Sequence, residues 1–361
     1  MFFRLLPEVY LVVGKNKSLL QNLVLKKCVW INSRLSDLIK KCENNRPIPW
    51  EHFNILKQLE TEGWGKVTDT PIFIDKLRLN NVFNEKKFHK DSPMINFATI
   101  KLTNNCNLSC DKCNHLFCPT CFKKSGENSS FTLNKLKQLI YNLKFYGCKN
   151  INVTGGEAYL CSDFLNIYEF ILENEINIII NTNGLIKFKN VLFETPICIS
   201  LFDKSNLNKI IENFKDFKTV ILLAFDVLKT KEKLKIPTQW TFRQATQGEP
   251  YIHKNNLVNM DINSFFARKD KNYCLNNKIA ILENGDVYPC LGAWKRICAI
   301  GNIFYDDWNI IIKNLLQKYW LNNIDNKTKC KHCEFRYACN SCVFLDSEKS
   351  CFYDVEVGQW K

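Results

Sequence analysis

The chain has 361 residues, 46% of them hydrophobic, a formal net charge of +14 and 18 cysteines. That length is more than one simple core needs and predicts two or three domains. The absence of any apolar run long enough for a membrane span, and of a signal-peptide pattern in Met1–Pro7, points to a cytoplasmic protein. In that compartment cysteines at this density bind metal rather than pair as disulfides. The lysines are spread along the sequence without a basic run, so the positive charge reads as a solvated surface. No nucleic-acid partner is expected.

Residues 1–90 read as a small unit of their own. Val9–Val13 is a predicted strand ending at Gly14, and Val24–Ile31 is a second candidate. Asn32 and Ser33 cap a helix running to Glu43, with Leu35, Leu38 and Ile39 on one face. Trp50–Glu62 is a second helix, with Phe53, Leu56 and Leu59 inward, stopped by Gly63-Trp64-Gly65. Pro71–Asp75 is a further predicted strand. Strands, two or three helices and a wing-like turn together give a winged-helix-like module.

From Phe97 the pattern alternates between strand and helix. Strands are predicted at 97–102, 150–153, 176–180, 197–201, 219–225 and 239–242. Helices are predicted at 131–146, 164–173 and 207–217. This order predicts a parallel sheet covered by helices, a partial (β/α)6 barrel spanning residues 91–260. Function is then expected on the loops at the carboxyl ends of the strands.

Cys106, Cys110 and Cys113 follow the first of these strands as Cys-x3-Cys-x2-Cys. Three thiolates on one short loop hold three irons of a [4Fe–4S] cube and leave the fourth open, whereas full ligation takes four cysteines. Cys110 and Cys113 also combine with Cys118 and Cys121 as Cys-x2-Cys-x4-Cys-x2-Cys, which is compatible with a zinc knuckle. After the next strand stands Thr154-Gly155-Gly156-Glu157. Residues 261–361 carry a second constellation: Cys274-x10-Gly285-x4-Cys290, then Cys330-x2-Cys333-x5-Cys339-x2-Cys342-x8-Cys351.

The three-cysteine loop followed by Gly-Gly-Glu resembles the radical SAM superfamily. The second constellation resembles the SPASM domain of its peptide-modifying members, of the grasp-with-spasm type. Two departures stand out: Lys112 replaces the aromatic residue usual before the third cysteine, and the interval between Cys339 and Cys342 is two rather than three. The resemblance implies a SAM-binding [4Fe–4S] cluster on Cys106, Cys110 and Cys113. It implies that Gly155, Gly156 and Glu157 hold the methionine amino group of S-adenosyl-L-methionine, with Asn183 and Ser200 near its ribose and carboxylate. It further implies two auxiliary clusters. The outer one would rest on Cys330, Cys333, Cys339 and Cys351, and the inner one on Cys274, Cys290 and Cys342, with Cys298 a candidate fourth ligand. The winged-helix-like module resembles a recognition element that grips a precursor peptide as an added strand. The expected activity is reductive cleavage of SAM and modification of a ribosomally made peptide by a thioether or carbon–carbon crosslink. A flavodoxin or ferredoxin is the implied electron donor. An anaerobic sulfatase-maturase-like oxidation of Cys or Ser, or a non-catalytic peptide-delivery role with zinc, is the alternative. Cys28, Cys42, Cys148, Cys161 and Cys198 read as buried structural thiols. His253 and His332 read as structural, and no general base is identified.

Overall fold

The computed structural model describes residues 1–361 except 79–94, 111–112, 114–118, 123–130, 226–233, 246–251, 253, 255–256, 259, 341, 343 and 345–346. Lys112, Cys118 and His253 therefore lie outside the described residues.

The chain opens with strand β1 (Phe2–Leu5), then a three-stranded antiparallel meander of β2 (Val9–Val13), β3 (Lys17–Asn22) and β4 (Lys27–Asn32). The Asn32 side chain accepts from Leu35 N–H and caps helix α1 (Ser33–Glu43), as its residue type favours. A short 3₁₀ turn at Trp50–His52 leads into α2 (Phe53–Thr61), and Gly63, at φ +82°, ends that helix. Strand β5 (Gly65–Thr68) returns to pair with β1. The Cβ that any other residue would carry at Gly65 falls 2.2 Å from the Phe3 ring, so close packing demands glycine there.

Six parallel strands follow: β6 (Phe97–Lys101), β7 (Asn150–Thr154), β8 (Asn177–Thr182), β9 (Ile197–Leu201), β10 (Val220–Phe225) and β11 (Thr241–Ala245). Their spatial order is their chain order. Helices α3 (Leu133–Phe145), α4 (Phe164–Glu173) and α5 (Leu207–Phe214) lie in the crossovers after β6, β7 and β9. All five residues of β9 are buried, as a strand covered on both faces must be. Helix α6 (Ile262–Lys269) comes next. Strand β12 (Lys278–Ile281) then pairs parallel with β6 and carries the antiparallel β13 (Asp286–Tyr288) and β14 (Gly301–Asn302). Helix α7 (Trp308–Leu315) leads to Trp320, and β15 (Tyr353–Asp354) pairs with β16 (Gln359–Trp360) near the carboxyl end.

The chain divides into two compact units. One holds residues 89–250 and 275–320; the other joins 1–88 to 251–274 and 321–361. Within the second unit, Val12, Leu19 and Leu23 of the amino-terminal meander share a core with Phe265, Phe335, Tyr337 and Tyr353. Its other core lies between the meander and helices α1 and α2, around Phe3, Leu20, Ile39 and Leu56.

The element readings at 9–13, 32–43, 97–102 and 164–173 agree with the structure within a residue or so. Two others, and the reading of Cys28 as buried, are corrected. Pro71–Asp75 pairs with no described strand: Phe73 is largely exposed, and the Ile72 carbonyl accepts from Arg4 Nε instead. Residues 24–26 form a turn held by Asn22 Oδ1, which accepts from Val24 and Leu25 N–H, so the strand begins only at Lys27. Cys28 is exposed on that edge strand, whereas Cys42, Cys148, Cys161 and Cys198 are buried as expected.

In the barrel unit, Trp320 is 1% exposed and its indole N–H donates to the Lys278 carbonyl at 2.9 Å. Trp320→Ala is expected to cost about 3–5 kcal/mol in urea unfolding. Trp320→Phe keeps most of the ring volume and should cost about 1–3 kcal/mol, for the orphaned carbonyl.

Candidate functional site

The register of β6, β7 and β8 brings three loops together at one edge of the sheet. Lys101 lies opposite Thr154, and Val153 opposite Ile180, so the cysteine loop, Gly155–Glu157 and Asn183 all leave the sheet at its carboxyl end. Backbone bonds hold the first two loops against each other. Leu102 N–H donates to Thr154 O at 2.8 Å, Gly156 N–H to Thr103 O at 2.9 Å, and Glu157 N–H to Asn105 O at 2.7 Å.

Glu157 is 1% exposed and ties the third loop in. Its Oε2 accepts from Asn183 N–H at 2.8 Å and from the Thr182 hydroxyl at 3.0 Å. Its Oε1 has a longer donor, Tyr159 N–H at 3.5 Å. Burial holds the carboxyl above the usual carboxylate range, against the opposing pull of those donors. The folded state therefore binds this proton more tightly than the unfolded chain. Glu157's contribution to stability is greatest below its ordinary pKa of 4.5 and falls as pH rises toward the raised folded value. Glu157→Gln removes that titration. Wild type minus variant unfolding free energy should accordingly decrease as pH rises above the ordinary value of 4.5 in paired denaturant titrations.

Cys106, Cys110 and Cys113 are half-buried, and Cys113 N–H donates to Cys110 O at 3.1 Å. Cys106 Sγ accepts from Leu108 N–H at 3.4 Å and faces Asn183 Nδ2 at 3.9 Å. Asn183 Nδ2 also donates to Asn107 Oδ1 at 2.7 Å. Donors directed at sulfur suit a thiolate and tune any iron it binds. Ser200, at the end of β9, lies with its Oγ 2.6 Å from Thr120 Oγ1. Gly155, Gly156, Glu157, Asn183 and Ser200 thus share the carboxyl-end rim with the three cysteines. Sequence reasoning left Cys121 without a role. It is buried, and desolvation together with the neighbouring Cys113, Glu157, Cys106 and Cys110 pushes its thiol pKa far up.

Below the loop, Lys101 Nζ pairs with Glu283 Oε2 at 2.7 Å, both buried, and donates to Asn104 Oδ1 at 3.0 Å. Its ammonium lies 4.7 Å from the centre of the Phe122 ring, which stacks on Trp294. Neither charged residue has a motif to mark it; only a lysine and a glutamate inside apolar strand ends hint at the pair.

In the other unit, Cys330, Cys333, Cys339 and Cys351 line one pocket with Ile252, Leu257, Phe335, Tyr353, Val355 and Trp360. Bridges Ile252–Cys351 and Leu257–Cys339 bring the distant cysteines in, and Cys333 N–H donates to Cys330 O at 3.0 Å. Burial raises the Cys333 thiol pKa, with Glu334, Cys339 and Cys330 adding to it. Four thiols in an apolar-walled pocket match the donor set of a [4Fe–4S] cluster. Cys274 and Cys342 belong to this unit and act on the Tyr273 hydroxyl, whereas Cys290 and Cys298 belong to the barrel unit. Cys298 is exposed, near Tyr288 and Tyr319. Among the described residues, no three His, Cys, Asp or Glu side chains are gathered closely enough to hold a single metal ion.

No family model matches the chain. A GTP 3',8-cyclase of Pasteurella multocida (strain Pm70) is 27% identical over 150 residues, 38% of this chain and 43% of that protein. The match thus spans less than half the length of that relative. Among solved structures, Streptococcus suis SuiB bound to precursor peptide SuiA is similar over 95% of this chain and 96% of its own, with 13% identity and a TM-score of 0.51. SuiB bound to S-adenosylmethionine is similar over 99% and 100%, with 16% identity and a TM-score of 0.51. No helix among the described residues is long and apolar enough to cross a membrane. With its parallel strands in chain order and a three-cysteine loop leaving the first of them, the chain shares the fold of SuiB.

Proposed function

We propose that this protein is a radical SAM enzyme that modifies a ribosomally made peptide. One observation carries the reading: Cys106, Glu157 and Asn183 are joined through hydrogen bonds at the carboxyl ends of β6, β7 and β8. Cys106, Cys110 and Cys113 would hold a [4Fe–4S] cluster with one iron left to SAM. Glu157 fixes the ends of β7 and β8 and keeps capacity at Oε1 for a cationic ammonium. Gly155 and Gly156 keep side chains out of the space against the cysteine loop. Asn183 and Ser200 supply polar groups for the ribose and carboxylate. When bound, cluster and SAM together supply a 5′-deoxyadenosyl radical, which abstracts hydrogen from carbon.

Cys330, Cys333, Cys339 and Cys351 would hold an outer auxiliary cluster. Cys274 and Cys342, in the same unit, would contribute to an inner one. The likeness in fold to SuiB, solved with a precursor peptide, supports a peptide substrate. So does the meander's β4, an edge strand with Trp30 exposed beside a cleft of about 480 Å³ that Glu334, Tyr353 and Trp360 also line. A peptide strand added there gains main-chain hydrogen bonds. A thioether or carbon–carbon crosslink is the proposed product, and a flavodoxin or ferredoxin the proposed electron donor.

The test is anaerobic reconstitution followed by SAM and reductant. Wild type is expected to hold about twelve irons per chain, three four-iron clusters, and to release 5′-deoxyadenosine. Changing Cys106, Cys110 and Cys113 together to Ala should remove about four irons and all 5′-deoxyadenosine. Changing Cys330 and Cys333 should remove about four irons while SAM cleavage persists. Iron-loaded wild type that releases no 5′-deoxyadenosine would end the proposal.

A further inference from the structure

Cys121 is a buried thiol at the barrel rim that the proposal above leaves unused. Three hydrogen bonds fix the backbone around it. Thr120 Oγ1 lies 2.6 Å from Ser200 Oγ at the end of β9, the Thr154 hydroxyl donates to Thr120 O, and Phe122 N–H donates to Gly155 O at 3.2 Å. Cys121 is therefore held between the ends of β7 and β9. From the other side, Gly156 packs against Cys106: a Cβ there would fall 2.9 Å from that of Cys106. Cys121 is 8% exposed, and its thiol lies within electrostatic range of Cys106, Cys110, Cys113 and Glu157. Residues 119–122 belong to no helix or strand, so the thiol can retreat without unpicking the sheet.

We propose that Cys121 is a displaceable fourth ligand, whose thiolate binds the iron left open by Cys106, Cys110 and Cys113 until the methionine end of SAM replaces it. The assignment rests on the radical SAM reading. Thiolate is the ordinary fourth ligand of a four-iron cluster, and Cys121 is a buried thiol on the same rim as the other three. The exchange is balanced and involves no oxidation or reduction. The thiolate leaves iron with the electron pair it had shared, and it takes up the proton that the incoming ammonium must lose before its nitrogen can donate. A permanent fourth cysteine would shut SAM out, and a purely structural one would leave the iron open at all times. Only a displaceable ligand makes the iron's protection depend on both Cys121 and SAM.

The test uses full-length reconstituted wild type, Cys121→Ala and Cys121→Ser. Each is titrated anaerobically with ferricyanide, with and without SAM, and loss of one iron is followed by the electron paramagnetic resonance signal of the three-iron cluster. Without SAM, Cys121→Ala should lose that iron about tenfold faster than wild type; with SAM the difference should vanish. SAM should bind Cys121→Ala about tenfold more tightly in equilibrium dialysis, because no ligand has to leave. Equal rates and equal affinities in wild type and both variants would overturn the assignment while leaving the SAM-binding cluster intact. Loss of the cluster from both variants would overturn it too, since a displaceable ligand is dispensable for assembly. A wild type that binds neither iron nor SAM would instead overturn the radical SAM reading itself.

Discussion

Lys101→Met, in a chain that keeps Glu283, is expected to lower the unfolding free energy by about 3–5 kcal/mol. The two side chains are 0% and 2% exposed and their charges are 2.7 Å apart. Removing the ammonium leaves a carboxylate that has given up its hydration and gained no partner. Glu283→Leu should cost a similar amount, because it strands the lysine. The double variant Lys101→Met with Glu283→Leu should recover most of that loss, since well-packed apolar groups replace a buried pair at little net cost. Urea unfolding of the four proteins gives the coupling directly. If the double variant is as unstable as the sum of the singles, the pair is not what holds these strand ends together. Function should separate from stability here. Lys101 also donates to Asn104 Oδ1, two residues before Cys106. The double variant restores the core but not that donor, so the cluster proposed on Cys106, Cys110 and Cys113 should remain easier to strip with chelator than in wild type.

The barrel was legible because each of its signals is local. Apolar runs such as Ile197–Leu201 can lie only in a covered strand, and cysteine, glycine and glutamate at strand ends carry their spacing with them. What escaped was non-local. Lys17–Asn22 forms the middle strand of the meander and buries five of its six residues, including Ser18, Gln21 and Asn22, so no polar alternation marks it. Ser18 is satisfied by Ser36 of α1, at 2.8 Å between hydroxyls. Ile72 and Phe73 looked like strand residues, but no described strand pairs with them. The joining of 1–88 to 321–361 depends on contacts such as Arg336 donating to the Val13 carbonyl at 2.8 Å. At the site, the motif supplied Glu157 as a residue type. That its carboxylate fastens β7 to β8 through Thr182 and Asn183 became visible only when the register placed those strand ends side by side.

Gly156→Ala is expected to leave the fold in place and to reduce the proposed SAM cleavage by about 100-fold. A Cβ at this position would lie 2.6 Å from Asn105 O, 2.8 Å from Asn104 O and 2.9 Å from Cys106 Cβ. Real Cβ contacts do not come this close, and two of the three obstacles are backbone carbonyls that no side-chain rotation removes. The cysteine loop must therefore lift away from β7. The bonds from Gly156 N–H to Thr103 O and from Glu157 N–H to Asn105 O set the height of that loop over the sheet. A shift of about 1 Å in a positioned group can cost two orders of magnitude in rate, because the reacting atoms lose alignment rather than chemistry. The substitution at Gly155 is milder, its nearest obstacle being Thr103 O at 3.0 Å, and should fall between wild type and Gly156→Ala. The measurement is 5′-deoxyadenosine release per loaded cluster, with iron content and circular dichroism as controls. Full activity in Gly156→Ala at wild-type iron content would mean that the contact between the Gly-Gly turn and the cysteine loop does not position the cluster.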